Sequence, residues 1–146
     1  MFEGLNYVEL SGEKYPIKCD LLVLEAIQEK FGSIDKFEDG IMPWEPKLDK
    51  NGEPVMEDGE KVMQGKIPDM KALNEGLYLM AKEGEAIRAE ETGEAPKEII
   101  REKIARKVDM SPRILAQLLH DEFYRCFYIK NGKTTQNQKK PKVEDK

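Results

Sequence analysis

Asp69-Met70-Lys71-Ala72-Leu73-Asn74-Glu75-Gly76-Leu77-Tyr78-Leu79-Met80 carries the clearest period in the chain. Met70, Leu73, Leu77 and Met80 stand at i, i+3, i+7 and i+10, with Ile87 beyond, and this spacing predicts an amphipathic helix beginning at Asp69. Gly76 and Gly84 interrupt the stripe, each at about 1 kcal/mol relative to Ala in a helix. Their separation puts them on nearly one face. Two readings stay open: another backbone approaches closely there, or the helix weakens and breaks near Gly84.

Downstream, Glu90-Glu91-Thr92-Gly93-Glu94-Ala95 reads as a polar link. Pro96 suits the first turn of a further helix, whose apolar positions are Ile100, Ile104 and Val108, with Arg106 and Lys107 at its C-terminal end. Ser111-Pro112 pairs an N-cap with a first-turn proline, opening a last helix that runs to about Ile129 and stops at Asn131-Gly132. Ile114, Leu115, Leu118, Leu119, Phe123, Cys126 and Phe127 are expected to form its broad buried face.

Upstream, residues 39–68 hold four of the eight prolines and four of the eleven glycines. Asn51-Gly52 and Asp58-Gly59 favour the turns that join antiparallel strands, and Val55-Met56 and Val62-Met63 flank the second turn. The segment reads as a small meander or mobile β-flap between two helical parts. Before it, Asp20 caps a helix over residues 21–31 that Gly32 closes, with Leu24, Ile27 and Phe31 inward and a further short turn of helix over residues 33–37. Residues 5–10 and 15–19 around Ser11-Gly12 read as a hairpin, with Pro16 restricting one strand to pairing on one side. The expected fold is α+β and mainly α: an N-terminal β-hairpin packed on about four helices, with a β-flap insert. Residues 1–130 form one domain, and residues 131–146 form a disordered basic tail.

The composition is polar, with 39% hydrophobic and 36% charged residues in 146. Residues 130–146 hold six lysines against two acids, net +4, so residues 1–129 carry −9 within the total of −5. An acidic body argues against general nucleic-acid binding, which depends on basic patches that release counterions from phosphate. No apolar run approaches the roughly 18 residues of a membrane span, and residues 1–10 do not resemble a signal peptide. Cys19 and Cys126, far apart in sequence, fit a cytoplasmic protein with reduced thiols.

Catalytic and metal chemistry find little purchase. His120 is the single histidine. A calcium-like series from Asp49 places Pro54 where the loop needs glycine, so turn chemistry explains it better. Gly59 to Lys66 imitates a phosphate loop with one spacer too many and Ile67 in the Ser/Thr position. Cys126 and His120 lie six residues apart on one helix, pointing about 120° from each other. Glu83, Glu85, Glu90 and Glu91 read as a solvated helix end. No catalytic, cofactor or metal residue is therefore assigned. The candidates that remain are partner contacts: Tyr124 and Tyr128, one turn apart beside His120, and Trp44 in the flap. The competing reading has the tyrosines edging the core and Trp44 packing the flap down.

The order of segments resembles a known family. A hairpin ending in Gly12-Glu13-Lys14-Tyr15-Pro16-Ile17 leads into the first helix. After a variable insert come Asp69-Met70-Lys71-Ala72-Leu73 and Leu77-Tyr78-Leu79-Met80. The chain then presents Asp109-Met110-Ser111-Pro112, Leu115-Ala116 and His120-Asp121-Glu122-Phe123. Over residues 5–130 this is similar to the tail assembly chaperones of siphophages and prophages of Gram-positive bacteria. The resemblance implies a non-catalytic, mostly helical protein of the host cytoplasm. Such a protein binds the tape measure protein while tail-tube subunits polymerise, contacts the tail tube protein as a second candidate partner, and self-associates. It also implies a longer form made by frameshifting near the end of the short frame, where Lys139-Lys140 lies. The alternatives are a structural tail or neck component and a small DNA-binding regulator.

Overall fold

A computed structural model describes residues 5–128, in the order β1 (Asn6–Leu10), β2 (Glu13–Ile17), α1 (Leu21–Phe31), α2 (Ile34–Ile41), β3 (Trp44–Pro46), β4 (Met56–Glu57), β5 (Glu60–Lys61), β6 (Met63–Gly65), α3 (Met70–Thr92), α4 (Arg101–Arg106) and α5 (Pro112–Tyr128). The fold is α+β and mainly α, with five helices among the described residues rather than about four. The expected basic tail lies outside the described residues.

α3 is the axis. Its 23 residues run about 35 Å without a break, from Asp69, whose side chain accepts a hydrogen bond from Ala72 N, to Gly93 in the left-handed conformation. The helix takes in three residues of the expected polar link, and the break near Gly84 does not occur. Close approach is the reason for both glycines. A Cβ on Gly84 would stand 2.2 Å from Pro16 O, and one on Gly76 would stand 2.9 Å from the Phe37 ring. With no side chain in the way, β2 continues along α3, and Lys18 N donates to Met80 O at 3.0 Å.

The hairpin forms because Ser11 and Gly12 both adopt positive φ, 51° and 80°, the turn that matches strand twist. Pro16 pairs with Tyr7 inside the ladder, on a sheet of two strands where each has a free edge. Val8, Leu10 and Ile17 face the core. The tip is anchored: Ser11 Oγ donates to Lys107 O at 2.7 Å, and Ser11 N donates to Asp109 Oδ2 at 3.1 Å.

α1 has the expected bounds, with Asp20 accepting from Val23 N and Gly32 at φ 89°. The short turn expected over residues 33–37 is instead α2, a full helix that Ser33 caps through Lys36 N. Gly40 lies inside it because a Cβ there would meet Ala72 Cβ at 2.9 Å. The insert therefore begins at Pro43, and its ends are clamped by Lys66 N to Pro43 O at 2.9 Å and Asp69 N to Gly40 O at 2.7 Å.

The insert is a three-way junction rather than a meander. Lys47 N donates to Val62 O at 2.8 Å, Val62 N to Val55 O at 2.9 Å, and Val55 N to Lys47 O at 2.8 Å. These bonds close a ring where three two-stranded arms meet. The stem is β3 with β6, one arm turns at Asn51-Gly52, and the other is β4 with β5 around Asp58-Gly59.

α4 starts at Arg101, not near Pro96, and the segment before it is tied to buried Glu85, which accepts from Lys97 N at 2.8 Å. α5 buries Leu115, Ala116, Leu119, Glu122 and Phe123. Ile114, Leu118 and Phe127, expected in that face, are exposed. The face in contact with α2 and α3 is narrower than the apolar composition of α5 suggests. The core runs through Leu10, Ile27, Phe37, Ile41, Met80 and Leu119, all fully enclosed.

Candidate interaction surface

Where α2 ends and the flap stem begins, Trp44 comes to lie beside the first turns of α5. Trp44 is 60% exposed and lines a cleft of about 180 Å³ with Met42, Pro43, Lys66, Arg113 and Gln117. Helical geometry continues this surface along α5. Arg113, Gln117, His120 and Tyr124 recur at three- and four-residue spacing, so they form one strip. His120 is fixed at its middle, with Nε2 2.9 Å from Glu38 Oε2. Its ring lies 6.4 Å from that of Tyr124 and 5.9 Å from that of Phe123. Phe123 in turn meets Phe37 with rings tilted at 5.7 Å and Phe127 edge-to-face at 5.2 Å. Exposed aromatics are thus seated on an aromatic column that reaches the core. Such anchoring lowers the entropy lost when a side chain meets a partner.

Of the residues singled out in the sequence, Trp44 and Tyr124 fall on this one side of α5, although 80 residues separate them. Tyr124 is 45% exposed, as is Phe127. Tyr128 closes α5, and its side chain lies outside the described residues. Phe127 was expected to be buried, and its place at the outer edge of the strip is the contribution that sequence reasoning missed.

Buried carboxylates are the other unexpected feature. Glu85, read from sequence as part of a solvated helix end, is 4% exposed. Arg88 grips both its oxygens, at 2.9 and 2.7 Å, and Lys97 N adds a third bond. The Arg88 guanidinium holds the Glu85 carboxyl below its ordinary range. Ala81 and Ala89, four residues either side, were the available signal, since small apolar neighbours on one strip point inward. Glu122 accepts from Asn6 Nδ2 at 2.7 Å, Arg125 at 2.7 Å and Cys19 N at 2.9 Å, tying α5 to both ends of the hairpin. Glu75 faces Arg101 at 2.5 Å and Lys30 at 3.7 Å, and Oε1 lies out of line for a hydrogen bond despite its short charge contact. Glu83 differs. A hydrogen bond with the Asp20 carboxylate, followed by burial, pushes its pKa up to about 7.

These carboxylates act as internal ties, each committed to a cation, an amide or another carboxylate. The calcium-like series is an Asx turn, in which Asp49 Oδ1 accepts from Asn51 N and Glu53 N. The phosphate-loop imitation is extended strand through β5 and β6. Among the described residues, no group of three or more His, Cys, Asp or Glu side chains converges as a metal site, and no helix is long and apolar enough to cross a membrane. Compared with known proteins, the chain matches no protein-family model, no curated protein and no solved structure.

Proposed function

We propose that this protein is a non-catalytic tail assembly chaperone of a long-tailed bacteriophage or prophage, acting in the host cytoplasm on the tape measure protein. The resemblance in segment order suggests the role, and one observation carries it. An exposed strip from Trp44 along α5 to Tyr124 and Phe127 sets aromatic side chains at its two ends, with a cleft at the Trp44 end. A tape measure protein presents long apolar helical stretches before the tube encloses it, and helix-in-groove docking suits such a strip. The acidic body keeps the exposed strip soluble, because like charges oppose non-specific association. The same strip serves self-association until the partner appears.

The test is co-expression with the cognate tape measure protein, followed by pull-down. The expected result is a soluble complex. Replacing Trp44 and Tyr124 by Ala should weaken capture at least tenfold, as for aromatic anchors in other interfaces, with helical circular dichroism unchanged. Failure to retain any tape measure segment, or to keep it soluble, would overturn the assignment. Recovery of the protein in purified virions would favour a structural tail component instead.

A further inference from the structure

Cys19 and Cys126 are 107 positions apart in sequence, yet the fold brings them to one place. The Glu122 carboxylate accepts from Cys19 N at 2.9 Å, and Cys126 follows Glu122 by one turn on the same face of α5. Both side chains pack in the same core cluster, Cys19 enclosed within it and Cys126 half-buried at its edge. Side-chain interaction between the two thiols agrees with this placement.

We infer that Cys19 and Cys126 form a reversible disulfide that staples the hairpin root to the last turns of α5 when a disulfide oxidant such as oxidised glutathione is present. The half-buried Cys126 reacts first. Its thiolate sulfur attacks one sulfur of oxidised glutathione, forming a mixed disulfide and expelling one glutathione thiolate. The Cys19 sulfur then attacks Cys126 Sγ and expels the second glutathione, while the Cys19 proton passes to the departing thiolate. Two protein thiols are oxidised and one glutathione disulfide is reduced to two glutathiones. Burial and the neighbouring Cys126 thiol push the Cys19 thiol far above its ordinary range, so the second step is the slow one. The staple would close a loop spanning most of the chain, which strongly restricts the unfolded ensemble. It would also hold the turns of α5 that carry Tyr124 and Phe127, so the redox state would set how rigidly that strip is presented.

The test uses the full chain, reduced and then incubated with oxidised glutathione without denaturant. Mass spectrometry should find a monomer about 2 Da lighter that no longer alkylates, and a proteolytic digest should yield the Cys19 and Cys126 peptides joined. The oxidised protein should melt roughly 10 °C higher than the reduced one, a gain that a reductant reverses and that Cys126→Ser abolishes. A persistent glutathione adduct on Cys126 with Cys19 free, an intermolecular dimer, or two thiols that still alkylate would each overturn the inference. None of these outcomes depends on tape measure binding.

Discussion

Replacing Gly84 by Ala sets helix propensity against packing. In an isolated helix the change gains about 1 kcal/mol. Here the new Cβ would lie 2.2 Å from Pro16 O, 2.4 Å from Pro16 C and 2.7 Å from Ile17 N. All three are backbone atoms of a paired strand, so no side chain can swing aside. Restoring ordinary contact requires β2 to retreat by about 1 Å, which stretches the Lys18 N to Met80 O bond from its 3.0 Å. A buried amide left without a partner costs about 1–3 kcal/mol, and overpacking or strand displacement adds about 1–3 kcal/mol. After the propensity gain, the net loss is about 1–5 kcal/mol. Urea unfolding followed by circular dichroism measures it, with an unchanged slope showing that the transition itself is preserved. The Gly76→Ala variant is the internal comparison: its Cβ would meet the Phe37 ring, which can tilt, so its loss should be smaller. A Gly84→Ala protein as stable as the parent, or more stable, would refute the account of why α3 carries glycine in its middle.

Further tests address the carboxylates and the flap. Because the Glu83 pKa is raised to about 7 in the fold, its contribution is full below about pH 4.5 and is lost as pH rises through about 7. Glu83→Gln, neutral at every pH and still able to donate to Asp20, should match the parent near pH 4.5 and exceed it by about 1 kcal/mol at pH 8, with partial solvent contact discounted. Thermal melts at the two pH values decide, and an equal difference at both would refute the assignment. Glu122→Ala strands the Asn6 amide, the Cys19 amide and Arg125, so chemical denaturation should show a loss of about 3 kcal/mol. Brief trypsin treatment should cut at Lys50 or Lys61, on the exposed arms of the flap, before any site in α5, with the fragments identified by mass.

The local signals of the chain were strong where one residue performs one task. Asp20, Gly32, Asp69 and Ser111 each marked a helix end that the structure places within a residue, and Ser11-Gly12 and Asp58-Gly59 marked turns in which both residues take positive φ, with glycine second in each. Signals failed where the outcome depends on a distant partner. Whether Gly84 breaks or admits was undecidable without Pro16 above it. Pro96 does not open its helix: α4 begins at Arg101, and the Lys97 amide is bonded to Glu85, a partner remote in sequence. Glu85 looked solvated because Lys82, Glu83, Arg88 and Glu90 crowd the same stretch of sequence, while the residues four positions either side of it, Ala81 and Ala89, are buried alanines. The candidate surface was legible as separate residues only. Trp44 and Tyr124 were each visible as amphipathic anchors, but their sharing of one side follows from the path of the chain through α2 and the flap stem.

The ring of backbone bonds at Lys47, Val55 and Val62 gives the insert a modular character. Each arm begins and ends at the junction, so a change in the length of one arm is absorbed at its own tip. The register of the other arm and of the stem is fixed by bonds that the change does not touch. Sequence drift, or a deliberately grafted epitope, can therefore accumulate at Asn51-Gly52 or Asp58-Gly59 while Trp44, at the base of the stem, keeps its place against α5. The insert separates the part of the molecule free to diverge from the part that must hold still.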